Sequence, residues 1–303
     1  MINWATLAIF SSFVFAFVAV LDKYLLAHSL PNVRIFYLTV GLIQVAMGII
    51  ILLIYPWSSN PPILTMLLAV LSGVIWGAGL MLMFFCMSKL EVSRVIPIYH
   101  TSPVFVTIMA LAFLGETLSL AQGIGIILAV SGAAFIPMKP TNAPQNAGNP
   151  RLYFLVLIAS ILTASANVTY KYALEDISFW NLTALRSFSL GAVLIIAGYQ
   201  HNLLHIVKEI TKKSYLPLYM LIFAEAVLAP IAMIAMLRSL ALGPVSLATT
   251  LLSTRPFFVL IISGILSTKY LNLLNEPIDR RTLPIKFVSI GLIFIGICLI
   301  TLY

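Results

Sequence analysis

The chain carries the stretch VSRVIPIYHTSPVFVTI at residues 92–108, and a similar stretch, VSLATTLLSTRPFFVLI, follows at residues 245–261. The two stretches align without gaps, and Pro103 then matches Pro256 next to an equally matched pair of threonines. Chance agreement among apolar residues is the alternative explanation, but matched proline and threonine positions argue against it. We therefore interpret the chain as an internal duplication.

The amino-acid composition of the chain indicates whether water or lipid surrounds it. Apolar residues make up 61% of the 303 residues, whereas charged residues make up 9%. Soluble domains carry about 25% charged residues, so this chain lacks the polar side chains needed to cover a water-facing surface. We expect lipid to surround most of the protein. The net charge is +8, and most of the charged residues lie between apolar runs. Contact with lipid head groups explains charges in these positions, so we exclude nucleic acid as a partner.

Ten apolar runs approach the roughly 20 residues that cross a hydrocarbon core. We predict an all-α integral membrane protein with ten transmembrane helices in a cell membrane. The first five-helix repeat is expected at 1–138 and the second at 151–303, with a flexible linker at 139–150. Because five is odd, the second repeat enters the membrane inverted. The predicted spans are 3–27, 34–55, 63–86, 95–114, 118–138, 152–174, 179–199, 215–240, 245–267 and 283–302.

Lysines and arginines are distributed unevenly between the two predicted sides of the membrane. Most lie in the loops after the first, third, seventh and ninth spans, so the positive-inside rule places both termini outside. The side with few positive charges carries Lys171, Arg186 and Arg238.

Two charged residues lie deep inside predicted spans, Glu225 in the eighth and Arg255 in the ninth. Intramembrane charges are costly and are usually functional. Arg255 could hold a carboxylate or phosphate through its planar guanidinium group, and Glu225 could bind a cationic group or exchange a proton. The alternative is a mutual ion pair that locks the eighth and ninth spans together.

A polar layer surrounds these charges. His100 lies near the middle of the fourth span beside Tyr99, and prolines on both sides are expected to bend the helix and free its carbonyl groups. The repeat places Ser253 at the position equivalent to His100. Trp76 lies among glycines that allow close helix packing. We predict that all four side chains line a substrate cavity; for His100 and Trp76 a purely structural role is the alternative.

Lys23 and Lys171 occupy equivalent ends of the first and sixth spans. Extension of the side chain to the membrane interface is their default interpretation. Asp22 and Tyr170 lie beside them, and this proximity raises a gating role as the alternative.

Several short motifs occur in a recognisable order: SPVF at 102–105, LGE at 114–116, a glycine-spaced fifth span, and the lysines Lys23 and Lys171. In this order they resemble the EamA-like transporters of the drug/metabolite transporter superfamily over nearly the whole chain. The second half departs from the pattern, because Thr268 and Lys269 stand where Gly-Glu is expected. The resemblance implies cytoplasmic termini, whereas the charge distribution implies the opposite, and both orientations stay open.

Sequence motifs for hydrolases, phosphate-binding loops and metal sites are absent from the chain. We therefore expect no enzyme activity, no cofactor, no metal and no ATP site. The expected function is a secondary transporter that exports amino acids or other small organic metabolites by alternating access, with proton coupling as an option. Its expected partners are membrane lipids, a small-molecule substrate and protons. The alternatives are a lipid-linked sugar or lipid translocator of the same superfamily, and a membrane-embedded enzyme or receptor.

Overall fold

The computed structural model describes residues 3–26, 32–57, 60–90, 92–135, 150–201, 216–266 and 283–302. Within these ranges the chain is helical and contains no strand. The predicted linker at 139–150 lies outside them except for Pro150, which begins a helix. The helices are α1 (Trp4–Tyr24), α2 (Val33–Ile54), α3 (Ile63–Lys89), α4 (Val92–Tyr99), α5 (Ser102–Phe113), α6 (Leu120–Phe135), α7 (Pro150–Ala173), α8 (Phe179–Gly198), α9 (Leu216–Ile222), α10 (Ala229–Leu242), α11 (Val245–Leu252), α12 (Arg255–Leu266) and α13 (Leu283–Leu302).

Six helices of the described chain are long and apolar enough to cross a membrane: Trp4–Asp22, Val33–Ile54, Ile63–Lys89, Pro150–Ala173, Phe179–Gly198 and Tyr219–Leu242. Three shorter apolar helices cover Ser102–Phe113, Leu120–Gly132 and Gly291–Ile300. Large apolar side chains cover the outside of the bundle, and among the most exposed are Leu53, Ile63, Phe113, Leu120 and Ile196. An apolar outer surface of this kind suits contact with lipid.

Two of the predicted spans, 95–114 and 245–267, are interrupted; a proline bend was expected in the first of them, and no break was expected in the second. Residues 100–101 separate α4 from α5, and residues 253–254 separate α11 from α12. A proline is the second residue of the helix after each break. Its missing N–H removes a backbone hydrogen bond at that point, and its ring disfavours a continuous helix.

The two breaks have the same local hydrogen bond. Thr101 Oγ1 donates to the carbonyl oxygen of Ile98 at 2.7 Å, and Thr254 Oγ1 donates to that of Leu251 at 2.7 Å. A side-chain hydroxyl that bonds to a nearby carbonyl offers the backbone an alternative to the helical ladder. The matched threonines therefore help to end α4 and α11.

A buried serine of a long helix contacts each break. Ser160 Oγ of α7 lies 3.2 Å from Thr101 Oγ1. Ser12 Oγ of α1 lies 3.2 Å from the carbonyl oxygen of Leu251 and 3.0 Å from that of Leu252, and it donates to both. Each half of the chain thus contributes a serine to the break in the other half.

The predicted eighth span, 215–240, is helical throughout its described part but changes pitch. Residues Phe223–Leu228 form a π-helical segment between α9 and α10. Pro230 follows it and cannot donate to the carbonyl group four residues earlier, so the regular ladder is disrupted here. The segment carries Glu225, which is buried. Such segments often occur at functional sites.

Helices of the first half pack in pairs against helices of the second: α2 on α8, α3 on α7, α6 on α13 and α1 on α10. Two of these pairs cross at glycines. A Cβ atom on Gly41 would lie 2.9 Å from the Gly191 carbonyl oxygen, and one on Gly191 would lie 2.7 Å from that of Gly41. The corresponding distances for Gly125 and Gly296 are 2.9 and 2.7 Å. Small residues are therefore required where the backbones meet.

Candidate functional site

A cavity of about 110 Å³ lies between the two halves. It is lined by α1, α2, α3, α4, α7, the π-helical segment, α10, α11 and the residues at both helix breaks. A cavity of this size holds several water molecules or a small solute. All the side chains predicted to bind substrate line it: Trp76, Tyr99, His100, Glu225, Ser253 and Arg255. Their proximity is an observation, and their role in substrate binding remains a prediction.

The break between α4 and α5 directs polar atoms to the cavity wall. The Tyr99 hydroxyl lies 2.8 Å from Thr163 Oγ1 of α7. The His100 ring meets the Tyr99 ring edge-on, with 5.6 Å between the ring centroids. His100 Nε2 is buried and has no hydrogen-bond partner among the described residues. A ring nitrogen can donate or accept according to its tautomer, so His100 can serve either kind of ligand group.

The break between α11 and α12 brings a charge to the same cavity. Arg255 is the first residue of α12, and its Cζ atom lies 4.3 Å from the centroid of the Phe15 ring. The aromatic face holds the guanidinium group by a cation–π interaction. Arg255 Nε has no hydrogen-bond partner among the described residues. The group is thus positioned by stacking and retains a free donor.

Asp22 belongs to the cavity, although the sequence interpretation gave it no binding role. Its carboxyl group lies close enough to that of Glu225 for the two to interact, and each side chain is 4% exposed. Arg255 acts electrostatically on Asp22. Glu225 therefore pairs with Asp22, and the mutual ion pair of Glu225 with Arg255 is not formed between these described side chains. Phe15, Val18 and Asp22 line the cavity at helical spacing, and this spacing was the available signal.

Arg186 is fully buried in α8, which corrects its assignment to the loop charges. Its Nη2 donates to Asn167 Oδ1 at 2.9 Å, and its Cζ lies 4.3 Å from the Trp76 ring and 4.9 Å from the Tyr170 ring. The amide and the aromatic faces offset part of the cost of burying the cation. Trp76 and Asn167 line the cavity, so Arg186 supports the cavity wall from behind. Its depth within the apolar run 179–199 was the signal that the sequence interpretation missed.

Lys171 contacts the end of a neighbouring helix. Its Nζ donates to the carbonyl oxygens of Leu240, Ala241 and Gly243 at 2.9, 3.2 and 2.9 Å, where α10 ends. A cation stabilises the negative end of a helix dipole. Lys171 therefore caps α10, and its gating role remains a prediction. The side chain of Lys23 lies outside the described part of the chain.

Glu116 caps the helix that follows. Its carboxylate accepts hydrogen bonds from the backbone N–H groups of Val245 and Ser246 and from the Ser246 hydroxyl, at the start of α11. Gly115 has a φ of 62°, which glycine adopts without strain. The turn at residues 114–116 thus directs a carboxylate to the positive end of a helix.

The cavity combines groups of both charges with buried atoms that lack partners. Asp22 Oδ1 and Gln44 Oε1 are acceptors, and Arg255 Nε is a donor; none of the three has a hydrogen-bond partner among the described residues. Buried polar atoms are normally paired, so this arrangement suits a polar solute. No group of three or more His, Cys, Asp or Glu side chains that could hold a metal ion occurs in the described ranges.

Comparison with solved structures supports the fold. One crystal structure of a protein superposes with a TM-score of 0.70 at 14% sequence identity, over 99% of this chain and 95% of that chain. The uncharacterized protein MJ1333.1 of Methanocaldococcus jannaschii is 32% identical over 105 residues, which are 34% of this chain and 75% of that protein.

The family comparison covers nearly the whole chain. The model of the EamA-like transporter family matches residues 2–138 and, separately, residues 151–302. The match agrees with the apolar helices and with the short motifs that led to the predicted resemblance. This chain is therefore a multi-pass membrane protein that belongs to the EamA-like transporter family.

Proposed function

We propose that the protein is a secondary active transporter that exports amino acids or other small organic metabolites by alternating access, with protons as the coupling ion. One observation carries the proposal. The cavity between the halves lies at two helix breaks, and the charged or ionisable side chains that line it include Arg255, Asp22 and Glu225. Interrupted helices at a central site are characteristic of secondary transporters.

The proposal includes ten spans arranged as two inverted five-helix repeats. Three observations support it: the equivalent helix breaks, the reciprocal glycine crossings, and the serines that each half contributes to the break of the other. Exchange of the two halves converts the α1–α10 pair into the α7–α3 pair and leaves the α2–α8 pair unchanged. A two-fold relation of this kind gives each half the same range of motion in opposite directions.

Alternating access follows from that relation. α1 packs on α10, α11 and α12, whereas α7 packs on α3, α4 and α5. Rocking of these two groups about the glycine crossings would open the cavity to one side of the membrane and close it to the other. Arg255 would bind an anionic substrate group, and the carboxyl pair would bind a cationic one.

Flux measurements test the proposal. We would reconstitute the purified protein into liposomes and follow the efflux of a panel of radiolabelled amino acids and small organic acids, with and without a pH gradient. Flux above that of protein-free vesicles, enhanced by the gradient, is expected. Arg255→Ala should lower the flux roughly 100-fold, because loss of a desolvated charge contact costs about 2–5 kcal/mol.

Arg34→Ala is the matched control, because Arg34 is exposed at the start of α2 and does not line the cavity. It should transport like the unmodified protein. Absence of flux for the whole panel would contradict the proposal. If the same vesicles instead moved a fluorescent lipid between leaflets, the result would favour a lipid translocator. If Arg255→Ala transported as fast as the unmodified protein, Arg255 would not be a substrate-binding residue.

A further inference from the structure

The buried oxygen-bearing side chains that line the cavity include Asp22 of α1, Glu225 of the π-helical segment and Gln44 of α2. The carboxyl groups of Asp22 and Glu225 are both buried and lie close enough to share a hydrogen bond when one of them is protonated. Asp22 Oδ1 and Gln44 Oε1 have no donor among the described residues. Two unsatisfied acceptors that line one buried cavity favour a donor there, and a donor that carries a positive charge is favoured most.

The carboxyl pair cannot be doubly ionised without such a donor. An ionised carboxylate only accepts hydrogen bonds, so a bond between two carboxyl groups requires a proton on one of them. Two negative charges in contact at a buried site also repel each other strongly. The pair therefore holds one positive charge, and a proton is the smallest species that supplies it.

The surroundings offer one further charge to this pair. Arg255 of α12 also lines the cavity and lies close enough to act electrostatically on Asp22. Phe15, on which Arg255 stacks, lies seven residues before Asp22 on α1, which is about 10 Å along a helix. The guanidinium group is thus close enough to act on Asp22 while it is held on Phe15. The other titratable or charged groups on the described parts of elements that pack against α1 or the π-helical segment are Arg34, Tyr37, Tyr219 and Arg238.

We propose that Asp22, Glu225 and the Gln44 side-chain oxygen form a site for a single cation, occupied by a proton in one state and by a protonated amino group of the substrate in the other. The inference rests on the proposed transport function and specifies how protons couple to it. When the ammonium group enters, its N–H groups donate to the carboxylates and the O–H bond of the shared proton breaks. That proton leaves to water. One positive charge replaces another, so the pair, its ligand and Arg255 together stay neutral.

The site predicts a dependence of stability on pH that needs no substrate. When the shared proton leaves at high pH, two buried carboxylates repel each other, so the melting temperature of the unmodified protein in detergent should fall. Asp22→Asn should flatten this dependence, because its amide group can donate to Glu225 at every pH. Glu225→Gln should flatten it in the same way. Glu175→Gln is the control, because Glu175 is exposed in the turn after α7, and it should keep the original profile.

Proton release tests the exchange itself. Butylammonium chloride added to weakly buffered protein should release about one proton per amine bound, measured with a pH dye. 1-Butanol, which has the same chain without the charge, should release none. Asp22→Asn and Glu225→Gln should release none with either probe. Gln44→Leu leaves both carboxyl groups in place and should weaken amine binding several-fold while keeping proton release.

Unchanged pH profiles together with unchanged proton release in both carboxyl variants would overturn the site. Failure of the site and failure of the proposed function give different results. Flux that persists in Asp22→Asn with its original response to a pH gradient contradicts the site and leaves transport intact. Amine-driven proton release without flux of any compound supports the site and contradicts the proposed transport function.

Discussion

The two broken helices share a backbone arrangement but differ in charge. Each break has a threonine that bonds to a carbonyl group three residues earlier, and each is contacted by a buried serine from the other half. At the first break the cavity receives Tyr99 and His100; at the second it receives Ser253 and Arg255. The two breaks thus build two walls with similar backbones and chemically different side chains.

This difference shows why a duplicated protein can have a site without two-fold symmetry. Arg255 is tolerated at the second break because Phe15 stacks on it and the carboxyl pair of Asp22 and Glu225 lies nearby. At the position equivalent to Arg255, the first break has Ser102, which is buried. The two breaks therefore contribute different charges to the cavity.

The largest expected effect comes from copying the charge to the first break. Ser102→Arg places a second cation beside the cavity, where Arg255 already balances the carboxyl pair. An uncompensated buried charge costs roughly 3–5 kcal/mol, so unfolding of the variant in detergent should occur at much lower denaturant concentration. Ser102→Ala is the matched control and should change the free energy of unfolding by about 1 kcal/mol or less. If Ser102→Arg were as stable as the control, the two walls would be interchangeable in charge.

A smaller effect is expected at the start of α11, which the first half stabilises through Glu116. Glu116→Gln removes the charge that interacts with the helix dipole and weakens the bonds to Val245 and Ser246. Loss of such a cap costs about 1–2 kcal/mol. The midpoint of thermal unfolding should fall, while Glu175→Gln, which removes an exposed carboxylate, should leave it unchanged. An equal midpoint for the two variants would mean that the cap contributes nothing.

The smallest effects sharpen the equivalence of the breaks. Ser12→Ala and Ser160→Ala each remove one hydrogen bond to a break, worth about 1 kcal/mol. We expect similar losses in the free energy of unfolding for both variants, because both serines are fully buried. The double variant should show additive losses, since the two contacts share no residue. A large loss for one serine and none for the other would show that the breaks differ in stability as well as in charge.

Much of the cavity was predictable from sequence. The rule that intramembrane charges are functional identified Glu225 and Arg255, and the repeat alignment paired His100 with Ser253. The same rule also applied to Arg186. The sequence analysis counted this residue among the positive charges at one side of the membrane, so its burial between Trp76 and Tyr170 was missed. The first break was expected as a proline bend, and the second was not expected. The structure shows separate helices at both, because the threonine side chains also divert the backbone hydrogen bonds.

Composition and periodicity determined that lipid surrounds this chain, that its elements are helices, and that a polar layer recurs in both halves. These properties depend on local spacing and on the transfer of side chains out of water, which a sequence records directly. Tertiary structure alone decided that Glu225 meets Asp22, that Glu116 caps α11 and that Arg186 supports Trp76. Each of these contacts joins helices distant in sequence, and their relative depth and rotation depend on how closely the backbones pack at their glycine crossings.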